Sequence, residues 1–486
     1  MKVYKYLLAG ALLISAAAPS MAQSDTKALQ AQVTEMIKTK GPDFDKQVKQ
    51  LYKDNKKDPA ALLAIGRAFY NAKDYTNANA FADYALAKDS KCAPAFLLKG
   101  DICVSKDDAG GAAENYQQAK YFAPKDPEGY YKYAMILRGR SPQEAVDNLE
   151  DLRKQRPDYP VDALAGRIFY QSNIPNRFEK AEEYFNKITD LSKMEDDDIS
   201  KYAMTEFLLG KRDRSIEVAK AGLQKDPRRA GWNRIVFWNY TDKKDTQNAL
   251  DYADRLFNKS DSAHITADDY AYYGTALQQA KRWDEAIDAY QKALNDLATD
   301  KNAIVQKPTV LKNISDAYNG KGDYDNAVKY LDESLEATEN PSFRDYNALG
   351  SLYLDIASKK SEAGDKAGAL AAFKNADNVY GKIAEKYPEQ ANYCNYVRGS
   401  INASMDPESK EGLAKPYYNA LITSLESKAD RSSNETAMLK SAYSYFMVYE
   451  INVLKNTTSA KEWASKLLSI DPQNEMAKQV MSFKSR

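Results

Sequence analysis

Histidine and cysteine are scarce in this chain of 486 residues, which has a single His, His264, and three Cys, Cys92, Cys103 and Cys394. An odd number of cysteines scattered over such a length excludes a disulfide framework. If Cys92 precedes and Cys103 lies within one helix, about 11 residues at about 1.5 Å each separate them by roughly 16 Å, beyond disulfide reach. Buried free thiols are therefore expected. His264 falls in a connection between two helical segments, with no nearby residues to build a Ser-His-Asp triad, a zinc site or a proton shuttle around it. Charge of one sign is also missing. Lys and Arg equal Asp and Glu at 69 each, and removing a leader that carries Lys2 and Lys5 barely changes the balance, so no nucleic-acid footprint follows.

Catalytic and nucleotide-binding motifs are absent too: there is no His-Glu-x-x-His, no Gly-x-x-x-x-Gly-Lys-[Ser/Thr] and no Gly-x-Ser-x-Gly. Carboxylates are plentiful, but nothing in their spacing selects a pair for glycoside cleavage. The acidic run Glu195-Asp196-Asp197-Asp198 lacks the alternating ligands and glycine of a calcium loop, and reads as the capped N-terminus of a helix. Neither a cofactor nor a metal is expected. A mean hydropathy of -0.66 excludes a polytopic membrane protein, while 43% hydrophobic and 28% charged residues fit a soluble, ordered chain.

The first residues carry Lys2 and Lys5, then an apolar stretch over 6–18, then Pro19-Ser20-Met21-Ala22 before Gln23. This is the pattern of a signal peptide cut after Ala22, with Ser20 and Ala22 supplying the small side chains that the peptidase requires. No Cys follows the cut, so lipidation is not indicated. Export is expected, to the periplasm first and to the medium or cell surface as alternatives.

What the sequence has in abundance is an internal period of about 34 residues. The clearest copy, 267–300, places Tyr270, Tyr273, Gly274, Leu277, Trp283, Ala286, Tyr290, Ala293 and Leu294 at positions 4, 7, 8, 11, 17, 20, 24, 27 and 28. The next, 308–341, carries Leu311, Ile314, Tyr318, Ala327 and Leu331, with Gly322-Asp323-Tyr324 as the turn between its two helices. Copies at 59–92 and 93–126 adjoin without a gap, and weaker ones follow at 127–158, 159–191, 196–229 and 230–262. Small residues at positions 8, 20 and 27 let helices cross closely, aromatics fill the gap to the neighbouring hairpin, and a terminal Pro stops the second helix. After Phe343 the second-helix residues Ala369, Phe373 and Ala376 arrive about two helical turns late, so the hairpins lengthen.

In this order and spacing the residues resemble the tetratricopeptide repeat family, and with the leader they resemble its exported bacterial, Bacteroidota-like members. The resemblance implies an all-α fold: a right-handed superhelical solenoid of about eleven or twelve antiparallel helix hairpins, first helices lining a concave groove. The expected organisation is a leader at 1–22, a degenerate hairpin at 23–58, repeats over 59–341, lengthened and divergent hairpins over 342–472 and a capping helix at 473–486.

In well-studied members, positions 2, 5, 9, 12 and 13 of the first helix face the groove. Carried onto this register, they give Arg67, Tyr70, Asp101, Tyr131, Arg138, Arg234, Trp238, Lys312, Asp316 and Asn347 as partner-binding candidates. Members that clamp a terminal carboxylate use Lys and Asn at fixed positions. Here Lys312 has Asp316 one turn on and Arg67 faces Asp101, so the clamp is not implied. The expected function is a non-catalytic scaffold that holds a peptide or helix of a protein partner, within a cell-envelope complex and without a transmembrane segment of its own. The 35 tyrosines and four tryptophans raise glycan capture as an alternative, with Tyr70, Tyr131 and Trp238 as its platform; a hydrolase built on the repeats is a further one. Asp261-Ser262-Ala263 matches a short O-glycosylation sequon.

Overall fold

The computed structural model describes residues 21–301 and 303–483, and among them every regular element is a helix. Most of the leader at 1–22 and the last three residues of the cap lie outside the described residues. Eleven consecutive helix pairs run from Pro59–Asn71 with Tyr75–Lys88 to Ser433–Asn452 with Thr457–Ile470, and Glu475–Met481 follows them. The chain is an all-α repeat solenoid. It divides into two compact units, Met1–Asn239 and Tyr240–Arg486, a division that falls inside the expected repeat block of 59–341.

The same local chemistry starts many helices. Asp58, Asp74, Asp108, Asp126, Asp245, Asp323 and Asp365 each precede a helix and accept from one or two of its first free backbone N–H groups. Thr266 with Asp269, Ser342 with Asp345 and Ser432 with Glu435 close reciprocal capping boxes. Within many hairpins the turn needs one left-handed residue. Gly322 takes that role at φ 88°, Lys73 at 63° and Lys281 at 59°, and the following N–H groups of Asp323, Asp74 and Arg282 reach back five residues to a helical carbonyl. Because a side chain in this conformation is strained and glycine is not, Lys281→Gly is expected to stabilise the hairpin by about 1 kcal/mol. Gly322→Lys should lose a similar amount, and denaturant midpoints of the two variants check the sign.

The glycines at position 8 do let helices cross closely, but the structure corrects which aromatic fills the space. A Cβ added to Gly274 would sit 2.6 Å from the ring of Tyr290, and one on Gly166 would sit 2.6 Å from Phe185. Gly100 with Tyr116, Gly350 with Tyr380 and Gly399 with Tyr418 repeat the pairing. Each ring thus enters a notch on the first helix of its own hairpin. Only some aromatics reach a neighbour, as Trp283 does, whose ring lies over Gly320 of the next first helix.

Two further expectations need adjustment. The segments Met21–Lys38 and Phe44–Asn55 are helices, but they do not stack on each other as a hairpin. Both pack on Pro59–Asn71, where Val33 and Phe44 join Leu62, Ile65, Phe69 and Phe81 in one core. The sequence pair Gly110-Gly111 reads as softening a hairpin turn, but both glycines lie in the first turn of Ala109–Phe122, which Asp108 caps through the Gly111 N–H. The lengthening after Phe343 is observed: Phe343–Glu362 has 20 residues and Lys366–Lys386 has 21, against 13 and 14 in Pro59–Asn71 and Tyr75–Lys88. All three cysteines are unpaired, Cys92 and Cys394 buried and Cys103 partly so.

Candidate functional site

The residues assigned to a groove lie on the first helices of successive hairpins, and each unit has its own such face. In the unit Met1–Asn239 the face is cross-linked. Asp101, only 7% exposed, receives Arg67 from the preceding first helix and Lys132, at 2.5 Å, from the following one. Tyr116 donates to the same carboxylate at 2.8 Å from beneath. Burial alone would push the Asp101 carboxyl up; Lys132 and Arg67 together hold it below its usual range. The Tyr116 phenol is pushed up by burial and by that carboxylate. Asp101 is therefore not the partner-facing ligand that its register suggests, but the joint of a three-helix chain.

The neighbouring candidates are also engaged within the fold. The Arg67 guanidinium lies over the ring of Tyr70 at 5.7 Å, and the Tyr70 hydroxyl shares a hydrogen bond of 3.1 Å with Ser105. Arg138 donates to the Met135 carbonyl of its own helix at 2.6 Å. Tyr131 has Arg167 over its ring at 5.9 Å. Trp238 is only 4% exposed, with its ring 5.7 Å from that of Phe207, so it is a core residue and not an anchor. A platform of Tyr70, Tyr131 and Trp238 is thus not formed: one ring is buried, and the others each have a face under a guanidinium.

Arg167 itself escaped the sequence reading. It occupies position 9 of the repeat 159–191, so the register could have found it, and at 8% exposure it is buried. Its guanidinium grips Asp198 with two bonds of 2.8 and 2.9 Å and adds Glu195 at 2.9 Å. This also corrects the reading of the acidic run. Asp196–Leu208 does begin there, but Glu195 caps nothing with its side chain, and Asp198, 2% exposed, is an internal counter-ion.

Beside this joint one of the candidates lines an opening. Arg234 lines a cleft of about 290 Å³ together with Tyr170, Asp197, Ser200, Lys201, Met204, Gly231 and Ile235. Three consecutive first helices build it: Val161–Tyr170, Asp196–Leu208 and Ala230–Asp242. Apolar Met204, Ile235 and the Tyr170 ring share it with an ion pair between Lys201 and Asp197. Burial pushes the Tyr170 phenol up.

In the unit Tyr240–Arg486 the candidates do not converge. Lys312 and Asp316 pair with each other at 2.7 Å on the surface of one helix, which leaves the ammonium poorly placed to clamp a carboxylate. Asn347 is engaged inside the fold, its side-chain carbonyl accepting from Tyr380 at 3.1 Å and Tyr393 at 3.2 Å. Further first-helix links unannounced by the register are Asn319 to Asp355 at 2.8 Å and Lys359 to the same Asp355 at 2.9 Å. Arg398 holds Asp377 in a fork of 2.9 and 3.0 Å, and Asn402 bonds the same carboxylate. His264 is exposed in the loop before Ala267–Gln279, and Ser262 lies in that loop at φ 48°. Among the described residues no group of three or more His, Cys, Asp or Glu is placed to hold a metal ion.

Family models for the tetratricopeptide repeat match residues 63–127 and 310–341. No curated protein matches the chain. Among solved structures, the C-terminal part of a tetratricopeptide repeat-containing protein from Cytophaga hutchinsonii aligns over 58% of this chain and 100% of its own, with 22% identity and a TM-score of 0.46. A tetratricopeptide repeat protein from Parabacteroides merdae covers 54% of this chain and 99% of its own at 16% identity, with a TM-score of 0.34. YrrB, described as having an unusual peptide-binding site, covers 50% and 97% at 16% identity, with a TM-score of 0.26. The family models match two separate stretches, so the chain carries tetratricopeptide repeats, and helix pairs continue on either side of them among the described residues.

Proposed function

We propose that this protein is an exported, periplasmic interaction scaffold that holds an extended peptide or a helix of a protein partner in the cleft of its N-terminal unit. One observation carries the reading. The cleft lined by Tyr170, Lys201, Met204, Arg234 and Ile235 is open, combines apolar and charged side chains, and is built by three helices, two of which are joined by the buried Arg167–Asp198 pair. An apolar floor with a polar rim is the composition of a protein-binding patch, and Arg and Tyr are the residues that most often dominate such patches. Holding the helices in place beforehand lowers the ordering cost of binding. The leader at 1–22 supports the location, and among the described residues no helix is long and apolar enough to cross a membrane.

Capture from an envelope fraction, with the full chain as bait, tests this. Tyr170→Ala with Arg234→Ala is expected to lower retention of the partner by roughly tenfold or more, the loss of about 1.4 kcal/mol or more. Lys312→Ala with Asp316→Ala should change it little. Equal retention by the wild type and the cleft variant would remove the cleft from the proposal, and retention on polysaccharide in place of protein would replace the partner class.

A further inference from the structure

Position 11 of a first helix is a core position: it is held by Phe69 in the repeat 59–92, Leu277 in 267–300 and Tyr318 in 308–341. In the repeat 196–229 the same position is Glu206. Its side chain is 0% exposed, and no N–H or O–H donor reaches either carboxyl oxygen. A buried carboxylate with no donor is among the most costly arrangements a core can contain. What lies within hydrogen-bonding reach is a second acid, Glu182, on Arg177–Phe185. Two carboxylates cannot bond each other unless a proton sits between them.

Of the cations in this part of the unit, Lys211, just before Arg212–Lys225, pairs with Glu182 itself, and the others are held by other partners. Arg214 donates to the Tyr202 phenol at 3.1 and 3.0 Å and pairs with Glu217 at 2.6 Å. The Tyr202 phenol in turn donates to Asn186 at 2.6 Å. From Val161–Tyr170, Arg167 is held by Asp198; Arg177 donates to the Ser172 carbonyl at 3.1 Å, and Arg212 to that of Phe207.

We propose that Glu206 and Glu182 share one proton, and that this carboxyl pair is a pH-sensitive latch between Asp196–Leu208 and Arg177–Phe185, closed while the proton is present and loosened when it leaves to solvent. Burial first, and then the charge of Glu182, pushes the Glu206 carboxyl up to about 7 from a usual value of 4.5. The folded state therefore keeps a proton that the unfolded chain has already lost. The stability that the latch contributes is complete below about pH 4.5, and it is lost as pH rises through about 7. Because Asp196–Leu208 also carries Asp197, Ser200, Lys201 and Met204, the latch acts on the helix in the middle of the cleft, a consequence that alone rests on the cleft reading.

Amide hydrogen exchange of residues 196–208 in the full chain, corrected for the intrinsic rate at each pH, tests the latch without reference to any partner. In the wild type, protection is expected to fall by up to about tenfold per pH unit between about pH 5 and 7. In Glu206→Gln, whose amide donates to Glu182 at every pH, it should be flat across that window and should exceed the wild type at pH 8. Glu206→Met, which restores an apolar side chain at the core position, should be flat as well and guards against misfolding of the first variant. In the infrared, the wild type at pH 5.5 should show a buried carboxylic-acid carbonyl band that both variants lack. An equal pH slope in wild type and variants, or no such band, overturns the proposal.

Discussion

Gly274→Val is expected to cost about 3 kcal/mol and to open the hairpin of Ala267–Gln279 and Trp283–Leu297 before the rest of its unit. Even the first carbon of the new side chain would lie 2.6 Å from the Tyr290 ring. That ring has nowhere to go. It is buried, and its hydroxyl is fixed to Thr275 at 3.1 Å and Gln278 at 2.9 Å, both on the helix that carries Gly274. Relief requires separating the two helices, which uncovers Ala271, Ala286 and Ala293 as well. Denaturant unfolding followed together with hydrogen exchange of 267–297 would measure it. Shrinking the ring offers a control: Gly274→Ala with Tyr290→Leu should recover a substantial part of what the two single changes lose. Strict additivity in that cycle would mean that the notch is not where the strain arises.

The second large effect concerns the buried pair under the cleft. Asp198→Ala is expected to cost about 3–5 kcal/mol, because it leaves the Arg167 guanidinium buried with its principal counter-charge removed. Glu195 cannot replace it, being mostly exposed and reaching only one nitrogen. Replacing both partners, Arg167→Met with Asp198→Leu, should come close to the wild type in stability, since two desolvation costs disappear with the attraction. The two variants therefore separate the cost of an orphaned charge from the worth of the pair. Should Asp198→Ala unfold at the wild-type midpoint, the pair contributes nothing and water must reach Arg167.

The sequence made the helices legible almost throughout, because the 34-residue register and the Asp and Pro residues before many of the helices act locally. Position 8 announced close crossings at Gly100, Gly166, Gly274 and Gly350 for the same reason: only glycine leaves room for a ring there. The face residues were legible only in part. A register tells which way a side chain points, but not what it meets. Asp101, Asn347 and Trp238 all sit at face positions and are all used up within the fold, by Lys132 and Arg67, by Tyr380 and Tyr393, and by Phe207. Most of those partners come from neighbouring hairpins, at separations such as the 34 residues between Arg67 and Asp101, where pattern reading has no grip. Arg167 and Glu206 mark the opposite case. Their positions in the register were readable: Arg167 is a buried charge at a face position, and Glu206 is a charge at a core position.

The pairing of neighbours has a consequence for how the chain acquires its shape. Helices pack on those just before or after them in sequence, as Tyr75–Lys88 does on Pro59–Asn71 and Ala93–Ser105. Among the described helices none needs a distant one to close its core. A chain emerging from its amino end can then fold pair by pair, each finished hairpin offering a surface to the next. Met21–Lys38 and Phe44–Asn55, which both settle on Pro59–Asn71, would be the first to find their seat and would start that growth.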